Sequence, residues 1–327
     1  MFDTTSLTIG VLPGDGAGPE LVGETLKVLE AVGADATLVD IPALSLDPEA
    51  AFETIASCGL VLSGPLAGGL PQRWTNRLGL FAKVRKTEHF SVVDSIGSLA
   101  LCDATSTSGD HVSQTVSVQP RDIRRLFVSA LAWAARHGLG EVTHVSGPTP
   151  LPWLNSIQRD AFQAAVATQR GVRGAELELS DALAALIGGG TGPDLMVTPD
   201  GFGSVLADIS TVLAGRASTT ATAMLGSNVT IFGAEHSHVH APVDRTRANP
   251  SALIRATAML LRHAGRLELA NMIDAAWGQT IADGVHTDDM AGASTTRNVS
   301  GRVFTQAVIA RLGVRSNTTL LERGVSA

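Results

Sequence analysis

Patterns typical of β-strands and α-helices alternate through the first third of the sequence. Apolar runs bounded by turn residues predict strands near residues 7–12, 36–40 and 59–63. Between them, helix-like stretches that begin at a proline occupy residues 19–32 and 48–57. A chain that alternates in this way builds a parallel sheet covered by helices, so we expect an α/β fold.

The rest of the sequence continues the same alternation. Apolar residues at helical spacing predict further helices, and short apolar runs predict further strands. The predicted helices are 120–137, 155–169, 176–187, 250–264 and 267–282, and the predicted strands are 141–146 and 194–197. The sequence contains no repeat, low-complexity tract or flexible linker, so we expect two lobes that share the strands of one sheet.

The composition argues against a nucleic-acid-binding or membrane protein. The formal net charge of −7 provides no basic surface for a phosphate backbone. No apolar run reaches about 18 residues without a charge or a helix breaker, which is roughly the length needed to span a bilayer. The N-terminus does not resemble a signal peptide, so we expect a cytoplasmic protein.

Charged residues make up only 17% of the 327 residues, which is few for a surface of this size. The cores of protein interfaces are depleted in charge relative to the exposed surface. We therefore expect a second copy of the chain to cover part of the surface, in a homodimer.

The densest motif is a glycine-rich turn between the first strand and the first helix, Leu12-Pro13-Gly14-Asp15-Gly16-Ala17-Gly18-Pro19-Glu20. The proline suits the first turn of a helix, where free backbone N–H groups can face an anionic or polar ligand. The spacing is not the G-x-G-x-x-G of a Rossmann site. A tight junction between strand and helix is the competing interpretation of this turn.

Five stretches resemble motifs of the isocitrate/isopropylmalate dehydrogenase family, the β-decarboxylating dehydrogenases, and they occur in the family's order. They are residues 11–20, 80–85, 194–208, 247–250 and 287–295. The resemblance implies an isopropylmalate-dehydrogenase-like fold with two lobes, a shared mixed sheet and a central cleft. It also implies a homodimer. Residues 1–80 and 216–327 would form the large, cofactor-side lobe, and residues 81–215 the small lobe with the dimer interface.

The resemblance assigns a Mg²⁺ or Mn²⁺ site to positions that are Asp181 and Asp208 here, since hard cations prefer oxygen ligands. Asp181 would reach across the cleft to Asp208 of the partner chain. One helical turn before Asp208, Ser204 replaces the usual aspartate, so one face of the helix has a single carboxylate. We expect metal binding to be weak or lost.

The substrate would be a small carboxylate. Arg85 matches the family arginine after Leu-Phe-Ala, and Arg77 is a second candidate for the same role, with Ser204 beside the metal position. A single certain arginine binds a single carboxylate, so a dicarboxylic hydroxy acid fits less well.

The groups that move protons are the sharpest departure from the family, which uses a lysine and a tyrosine. This chain has no tyrosine, and its lysines are Lys27, Lys83 and Lys86. Glycine stands at the family's lysine position, Gly147. His111 and His144 are candidates for a substitute acid or base, beside the metal-site carboxylates.

The resemblance implies NAD or NADP as cofactor. The residues assigned to it are Gly14, Asp15, Gly16, His236, Asp244, Arg245 and Asn249. Asp244 would contact the adenosine ribose from a shifted loop, whereas Arg245 would favour the 2′-phosphate of NADP. His236, His238 and His240 alternate, so in a strand they would share one face and could instead bind a transition metal.

These observations leave three hypotheses open. The first is a diverged NAD(P)-dependent oxidoreductase that acts on an unusual small 2-hydroxy acid. The second is a catalytically silent regulatory or ligand-binding member, and the third is a cleft used for cofactor-free decarboxylase or lyase chemistry. Retention of Asp181, Asp208 and Arg85 favours activity, while loss of the lysine, the tyrosine and one aspartate favours silence. Oxidation of isocitrate or isopropylmalate should be absent or crippled.

Overall fold

The computed structural model describes residues 7–88, 90–97, 99–108, 110–149, 151–188, 192–199, 201–213, 219–235 and 248–313. The strands of this part of the chain are β1 Leu7–Leu12, β2 Ala36–Asp40, β3 Leu60–Ser63, β4 Ala82–Lys86, β5 Ser91–Ser95, β6 Ala100–Ser108, β7 His111–Val118, β8 Glu141–Ser146, β9 Arg173–Glu178, β10 Leu195–Thr198, β11 Ala221–Leu225, β12 Thr230–Ala234, β13 Val285–His286 and β14 Arg297–Asn298. The helices are α1 Gly18–Ala31, α2 Pro48–Cys58, α3 Gln72–Arg77, α4 Pro120–His137, α5 Pro152–Thr168, α6 Leu179–Ile187, α7 Gly203–Leu213, α8 Ser251–His263, α9 Leu267–Ala282 and α10 Gly301–Ile309.

One large mixed sheet organises the fold, with the strand order β2-β1-β3-β12-β11-β4-β5-β10-β8-β9. Strands β2, β1, β3 and β12 run parallel to one another, and β5, β10, β8 and β9 form a second parallel block. Strands β11 and β4 lie between the blocks and are antiparallel to their neighbours. The expected α/β fold with a mixed sheet is confirmed.

Most predicted elements lie where the sequence indicates, but one prediction is wrong in part. The helix predicted from residue 176 begins at Leu179, because Arg173–Glu178 pair with β8 as the edge strand β9. Helix α5 begins at Pro152, three residues before its predicted start at residue 155. The sequence predicts β1, β2, β3, β8 and β10 but not the other strands, which include β4 and β5.

The two faces of the sheet are packed differently. One continuous apolar core covers one face and includes Ile9 of β1, Val84 of β4 and Val142 of β8, with α1, α4 and α8 packed on it. The opposite face carries two separate apolar clusters. The first joins β1 and β3 to α2, and the second joins β5 and β10 to α6 and α7. Strands β11 and β4 lie between the two clusters in the strand order.

None of the helices within the described ranges has the length and apolarity needed to cross a bilayer.

Candidate active site

Four charged side chains lie at the centre of the sheet, on the face with the two separate clusters. We call Lys83, Arg85, Asp94 and Glu235 the central charged group. Lys83 Nζ lies 2.7 Å from Glu235 Oε2, and Arg85 Nε lies 3.3 Å from the same oxygen. Arg85 Nη1 lies 3.8 Å from Asp94 Oδ2. The group therefore joins two cations and two carboxylates from three separate segments.

The strand register explains why these side chains meet. Side chains two residues apart on a strand share a face, so Lys83 and Arg85 both leave β4 on the same side. Lys83 pairs directly with Asp94 of β5 in the antiparallel ladder. Glu235 follows the last residue of β12, whose neighbour β11 pairs with β4, and its backbone N–H donates to the carbonyl of Thr220.

Burial changes the protonation of this group. Arg85 is 9% exposed and Asp94 is 5% exposed. Burial lowers the pKa of Lys83 and raises the pKa of Asp94 to about 6, in each case against the pull of an oppositely charged neighbour. Burial alone would raise the pKa of Glu235, but Lys83 and Arg85 outweigh it and lower that pKa. Lys83 therefore loses a proton more readily than an ordinary lysine.

Arg85 has unused hydrogen-bonding capacity. Its buried Nε and Nη1 atoms make no hydrogen bond within the described part of the chain. The contacts to Glu235 and Asp94 are ion pairs without hydrogen-bond geometry. Glu235 Oε2 at 3.3 Å and Asp94 Oδ2 at 3.8 Å balance the charge of Arg85 but are poorly aligned with these donors, so the guanidinium favours a better-placed acceptor.

Helix α7 is fixed to the central charged group through Asp94. The backbone N–H groups of Ser95, Gly201 and Gly203 face the carboxylate of Asp94 and lower its pKa against the larger effect of burial. A Cβ at Gly203 would lie 2.7 Å from Asp94 Cβ, so only glycine fits at the start of α7. This contact sets the position of Ser204, which is half-buried, and of Asp208, which is exposed.

The residues of one chain do not fit a divalent metal. Over the described ranges, no group of three or more His, Cys, Asp or Glu side chains is placed to hold one. Helix α7 offers Asp208 with Ser204, and Asp181 is exposed in the first turn of α6. A metal here would need the additional carboxylate of a second copy, as the resemblance to the family implies.

His144 lies away from the central charged group. It is 2% exposed on β8 and contacts the rings of Phe127 and Phe162, with centroids 5.0 and 5.5 Å away. Both rings belong to the continuous core, on the face opposite Arg85. Burial lowers the pKa of His144 and thereby favours its neutral form.

His111 and Arg77 also lie elsewhere. His111 is exposed at the start of β7, in a hairpin with β6 that is separate from the large sheet. Arg77 Nη2 lies 3.0 Å from Glu49 Oε1, and its guanidinium stacks 3.7 Å from the centroid of Phe52. The structure thus brings Arg85 and Ser204 to one region and gives Arg77 partners on α2.

The glycine-rich turn is partly used for packing. A Cβ at Gly14 would lie 2.4 Å from the carbonyl oxygen of Pro65. The Asp15 backbone N–H donates to that oxygen at 2.7 Å, and the Asp15 carboxylate accepts from the N–H of Ala67 at 2.8 Å. Gly16, by contrast, faces open space, and α1 begins without a side-chain cap. The Gly18 N–H already donates to the Asp15 carbonyl and Pro19 has no N–H, so the Glu20 N–H is the donor left in the first turn of α1 for an anionic group of a dinucleotide.

Asn249 links two of the stretches that resemble the family. Its amide nitrogen donates to Asp289 Oδ2 at 2.9 Å, and its oxygen accepts from the Ser251 N–H at the start of α8. The other predicted cofactor residues, His236, Asp244 and Arg245, lie outside the described residues together with His238 and His240.

Sequence reasoning missed Lys83, Asp94 and Glu235 as members of a site. A signal for two of them was present. Lys83 and Arg85 alternate with Ala82 and Val84, and Asp94 interrupts the apolar run Val92-Val93. A lone charge within a buried strand requires a partner, but the sequence does not show which strand supplies it.

The fold and the site define an α/β protein with a charged group at the centre of its mixed sheet. The family model for isocitrate/isopropylmalate dehydrogenase matches residues 78–308, more than half of the chain. The chain therefore belongs to the isocitrate/isopropylmalate dehydrogenase family.

Curated relatives in this family include both types of dehydrogenase. An isocitrate dehydrogenase [NADP] from Rickettsia typhi is 25% identical over 96% of this chain and 71% of its own length. Subunit 2 of the mitochondrial isocitrate dehydrogenase [NAD] from Saccharomyces cerevisiae is 29% identical over 94% of this chain and 91% of its own length. A 3-isopropylmalate dehydrogenase from Deinococcus radiodurans is 27% identical, covering 92% and 97% of the two chains.

Solved structures share the fold. A beta-decarboxylating dehydrogenase from Thermococcus kodakarensis, in its apo form, superposes with a TM-score of 0.79 at 21% identity, covering 94% of this chain and 96% of the other. An isocitrate dehydrogenase from Methylococcus capsulatus gives a TM-score of 0.74 at 23% identity, with 94% and 99% coverage.

Proposed function

We propose that this protein is an NAD(P)-dependent oxidoreductase that oxidises a small 2-hydroxy acid with a single carboxylate. The observation that carries the proposal is the buried guanidinium of Arg85, whose Nε and Nη1 make no hydrogen bond in the described structure. Arg85 also matches the family arginine in the stretch at residues 80–85. A substrate carboxylate would supply the missing acceptors through charge-assisted hydrogen bonds.

The substrate class follows from the number of arginines. Arg77 is held by Glu49 and Phe52 and leaves Arg85 as the clamp of the central charged group. Two carboxylates of the protein already lie within 4 Å of Arg85, so a second substrate carboxylate would add repulsion. A monocarboxylic 2-hydroxy acid suits this charge balance better than a dicarboxylic one.

Lys83 is the base in this proposal. Oxidation of a 2-hydroxy acid removes a hydride from C2 and a proton from the hydroxyl. NAD or NADP would accept the hydride, and Gly16 with the uncapped start of α1 would hold its anionic part. Burial lowers the pKa of Lys83 and makes its neutral amine accessible, so its Nζ can accept the hydroxyl proton. Glu235 then stabilises the resulting ammonium at 2.7 Å.

A silent, ligand-binding member is the second candidate, and one observation favours it. Glu235 and Asp94 already compensate the charge of Arg85 in the absence of substrate. In that case the protein would bind a small carboxylate without turnover.

A turnover assay tests the proposal. Small monocarboxylic 2-hydroxy acids are supplied with NAD and, separately, with NADP, and formation of the reduced cofactor is measured. Arg85→Gln should lower kcat/KM by about 10- to 100-fold, as expected for loss of a hydrogen bond to a charged group. Arg159→Gln, which removes an exposed ion pair with Glu176, is the matched control and should leave kcat/KM unchanged.

The assay also separates the two candidates. Saturable carboxylate binding that Arg85→Gln abolishes, without reduction of either cofactor, would support the silent member. Turnover that is insensitive to Arg85→Gln would contradict the proposed site.

A further inference from the structure

A second charged pocket lies on the face of the sheet opposite the central charged group. Its volume is about 230 Å³, below the range of about 300–1,000 Å³ that holds drug-sized ligands. The lining residues are Lys86, Ser91, Trp133, His137, Leu139, Met259 and Arg262. Strands β4 and β5 form its floor, and helices α4 and α8 contribute to its walls. Its size suits a small ligand.

The pocket carries more positive than negative charge. Lys86 Nζ lies 3.2 Å from Asp274 Oδ2, and Arg262 Nη2 lies 2.8 Å from the same oxygen. Burial lowers the pKa of Lys86 and Asp274 opposes this shift, so in its protonated form Lys86 shares one carboxylate with Arg262. The buried Arg255 nearby is attracted by Glu88 as well as by Asp274. Arg255 and Glu88 add one positive and one negative charge, so they leave the net charge around the pocket unchanged. An excess cation on half-buried side chains favours an added anion.

His137 adds an unused acceptor to the same pocket. Its Nδ1 lies 2.9 Å from the carbonyl oxygen of Trp133, which can only accept, so Nδ1 carries the proton. Burial lowers the pKa of His137 to about 3. The ring is therefore neutral, and its Nε2 is a lone-pair acceptor. This atom is buried without a hydrogen-bond partner in the described part of the chain.

We propose that this pocket binds a small oxyanion that also bears a hydroxyl group, such as a hydroxycarboxylate or hydrogen phosphate. Its negative oxygens would contact Lys86 and Arg262, and its hydroxyl would donate to His137 Nε2. Such a ligand would balance the excess positive charge of the pocket and would also donate a hydrogen bond to the unused acceptor. A simple carboxylate would only balance the charge.

The pocket is distinct from the candidate active site. Lys86 follows Arg85 on β4 and leaves the strand on the opposite side. The sheet therefore separates the two sites, although they share one strand. The proposal does not depend on turnover at the central charged group.

Calorimetric titration tests the proposal with three probes. Inorganic phosphate and lactate each combine an oxyanion with a hydroxyl group, and they distinguish the two sources of that chemistry. Acetate is the matched anion without the hydroxyl. Wild-type protein should bind phosphate, lactate or both saturably, and more tightly than acetate.

Two variants should change this binding in opposite directions. Arg262→Gln leaves Lys86 paired with Asp274 and neutralises the pocket, so binding should weaken by about tenfold or more. Asp274→Asn increases the excess positive charge, so binding should tighten. Arg173→Gln removes an exposed arginine on the edge strand β9 and should have no effect.

The opposite signs separate a local effect from general damage, because a poorly folded variant would only lose binding. Where a variant does not fold, nuclear magnetic resonance of the wild-type protein decides. The imidazole resonances of His137, assigned with His137→Gln, should shift during the phosphate or lactate titration, while those of the exposed His111 should not. Absence of saturable binding for both probes, binding unaffected by Arg262→Gln in a folded variant, or an unshifted His137 would overturn the proposal.

Discussion

Two side chains, the half-buried Lys83 and the buried Asp94, set the acid-base properties of the candidate active site. They face each other in the β4–β5 ladder, and burial shifts both away from their ordinary ionisation. The pKa of Lys83 is lowered and that of Asp94 is raised to about 6. Both shifts reduce charge within the sheet, and both have measurable consequences.

The raised pKa of Asp94 predicts a pH-dependent stability difference. The folded state binds this proton more tightly than the unfolded state, so the contribution is favourable at low pH and is lost as the pH rises from 3.8 through about 6. A shift of this size corresponds to roughly 3 kcal/mol. The free energy of unfolding of Asp94→Asn, minus that of the wild type, should therefore be more positive at about pH 7 than at about pH 4. Urea unfolding of both proteins at the two pH values measures this difference, and the same difference at both pH values would contradict the prediction.

Removal of the proposed base predicts a loss of turnover. Lys83→Met should lower kcat by about 10²- to 10⁴-fold, the usual contribution of a general acid or base. Glu235 keeps its ion pair with Arg85, so the fold should persist. Lys27→Met is the matched control, because Lys27 pairs with Glu24 on the exposed side of α1. Equal rates for Lys83→Met and the wild type would exclude Lys83 as the base.

Among the elements, long periodic segments could be predicted well and pairings between strands could not. The helix at 120–137, the helix at 267–282 and the strand at 141–146 have their predicted bounds. The helix-like composition of residues 176–178 misled the prediction, because pairing with β8 outweighs local preference.

The candidate site was only partly predictable for the same reason. Arg85 could be identified from its motif, and Ser204 and Asp208 from their spacing. Their link to Asp94 and Glu235 depends on which strands are neighbours. Strand order is a property of the whole sheet, and no single segment encodes it.

The close contact between β5 and the first residue of α7 predicts that a side chain at position 203 destabilises the fold. Gly203→Ala would place a Cβ 2.7 Å from Asp94 Cβ and 3.0 Å from Thr198 Oγ1. Unfolding should show a loss of about 1–3 kcal/mol, as for other overpacked sites. Gly23→Ala is the matched control in α1, where a Cβ meets nothing within 4 Å, and it should stabilise by up to about 1 kcal/mol. Equal stabilities of the two variants would contradict this packing.

At the scale of the whole molecule, we infer a homodimer that covers α6 and α7. Both helices expose large apolar side chains, including Ile187 at 67% and Val212 at 77%. Asp181 and Asp208 lie on the same two helices. A second copy over this surface would bury the apolar residues and bring further carboxylates to the metal position. The division into a large lobe of residues 1–80 and 216–327 and a small lobe of residues 81–215 stays a prediction.

The metal position predicts a gain of function. Ser204→Asp should tighten Mn²⁺ binding, because a second carboxylate joins Asp208 one turn away on α7. Calorimetry should show a lower Kd in the dimer. Val212→Asp should yield a monomer by light scattering and abolish the gain, since Asp181 of the second copy is then lost. Equal, negligible binding in wild type and Ser204→Asp dimers would mean that the metal site has decayed beyond this residue.

Oxidation of a 2-hydroxy acid by this protein with a nicotinamide cofactor is tested most directly by following the hydride. A monocarboxylic 2-hydroxy acid that the protein turns over is labelled with deuterium at C2. The nicotinamide cofactor is then recovered, and its mass is measured by mass spectrometry. We expect the wild type to yield reduced cofactor that carries the deuterium, and Lys83→Met to yield much less of this labelled cofactor. Unlabelled cofactor, or no reduced cofactor with any such acid, would contradict this expectation.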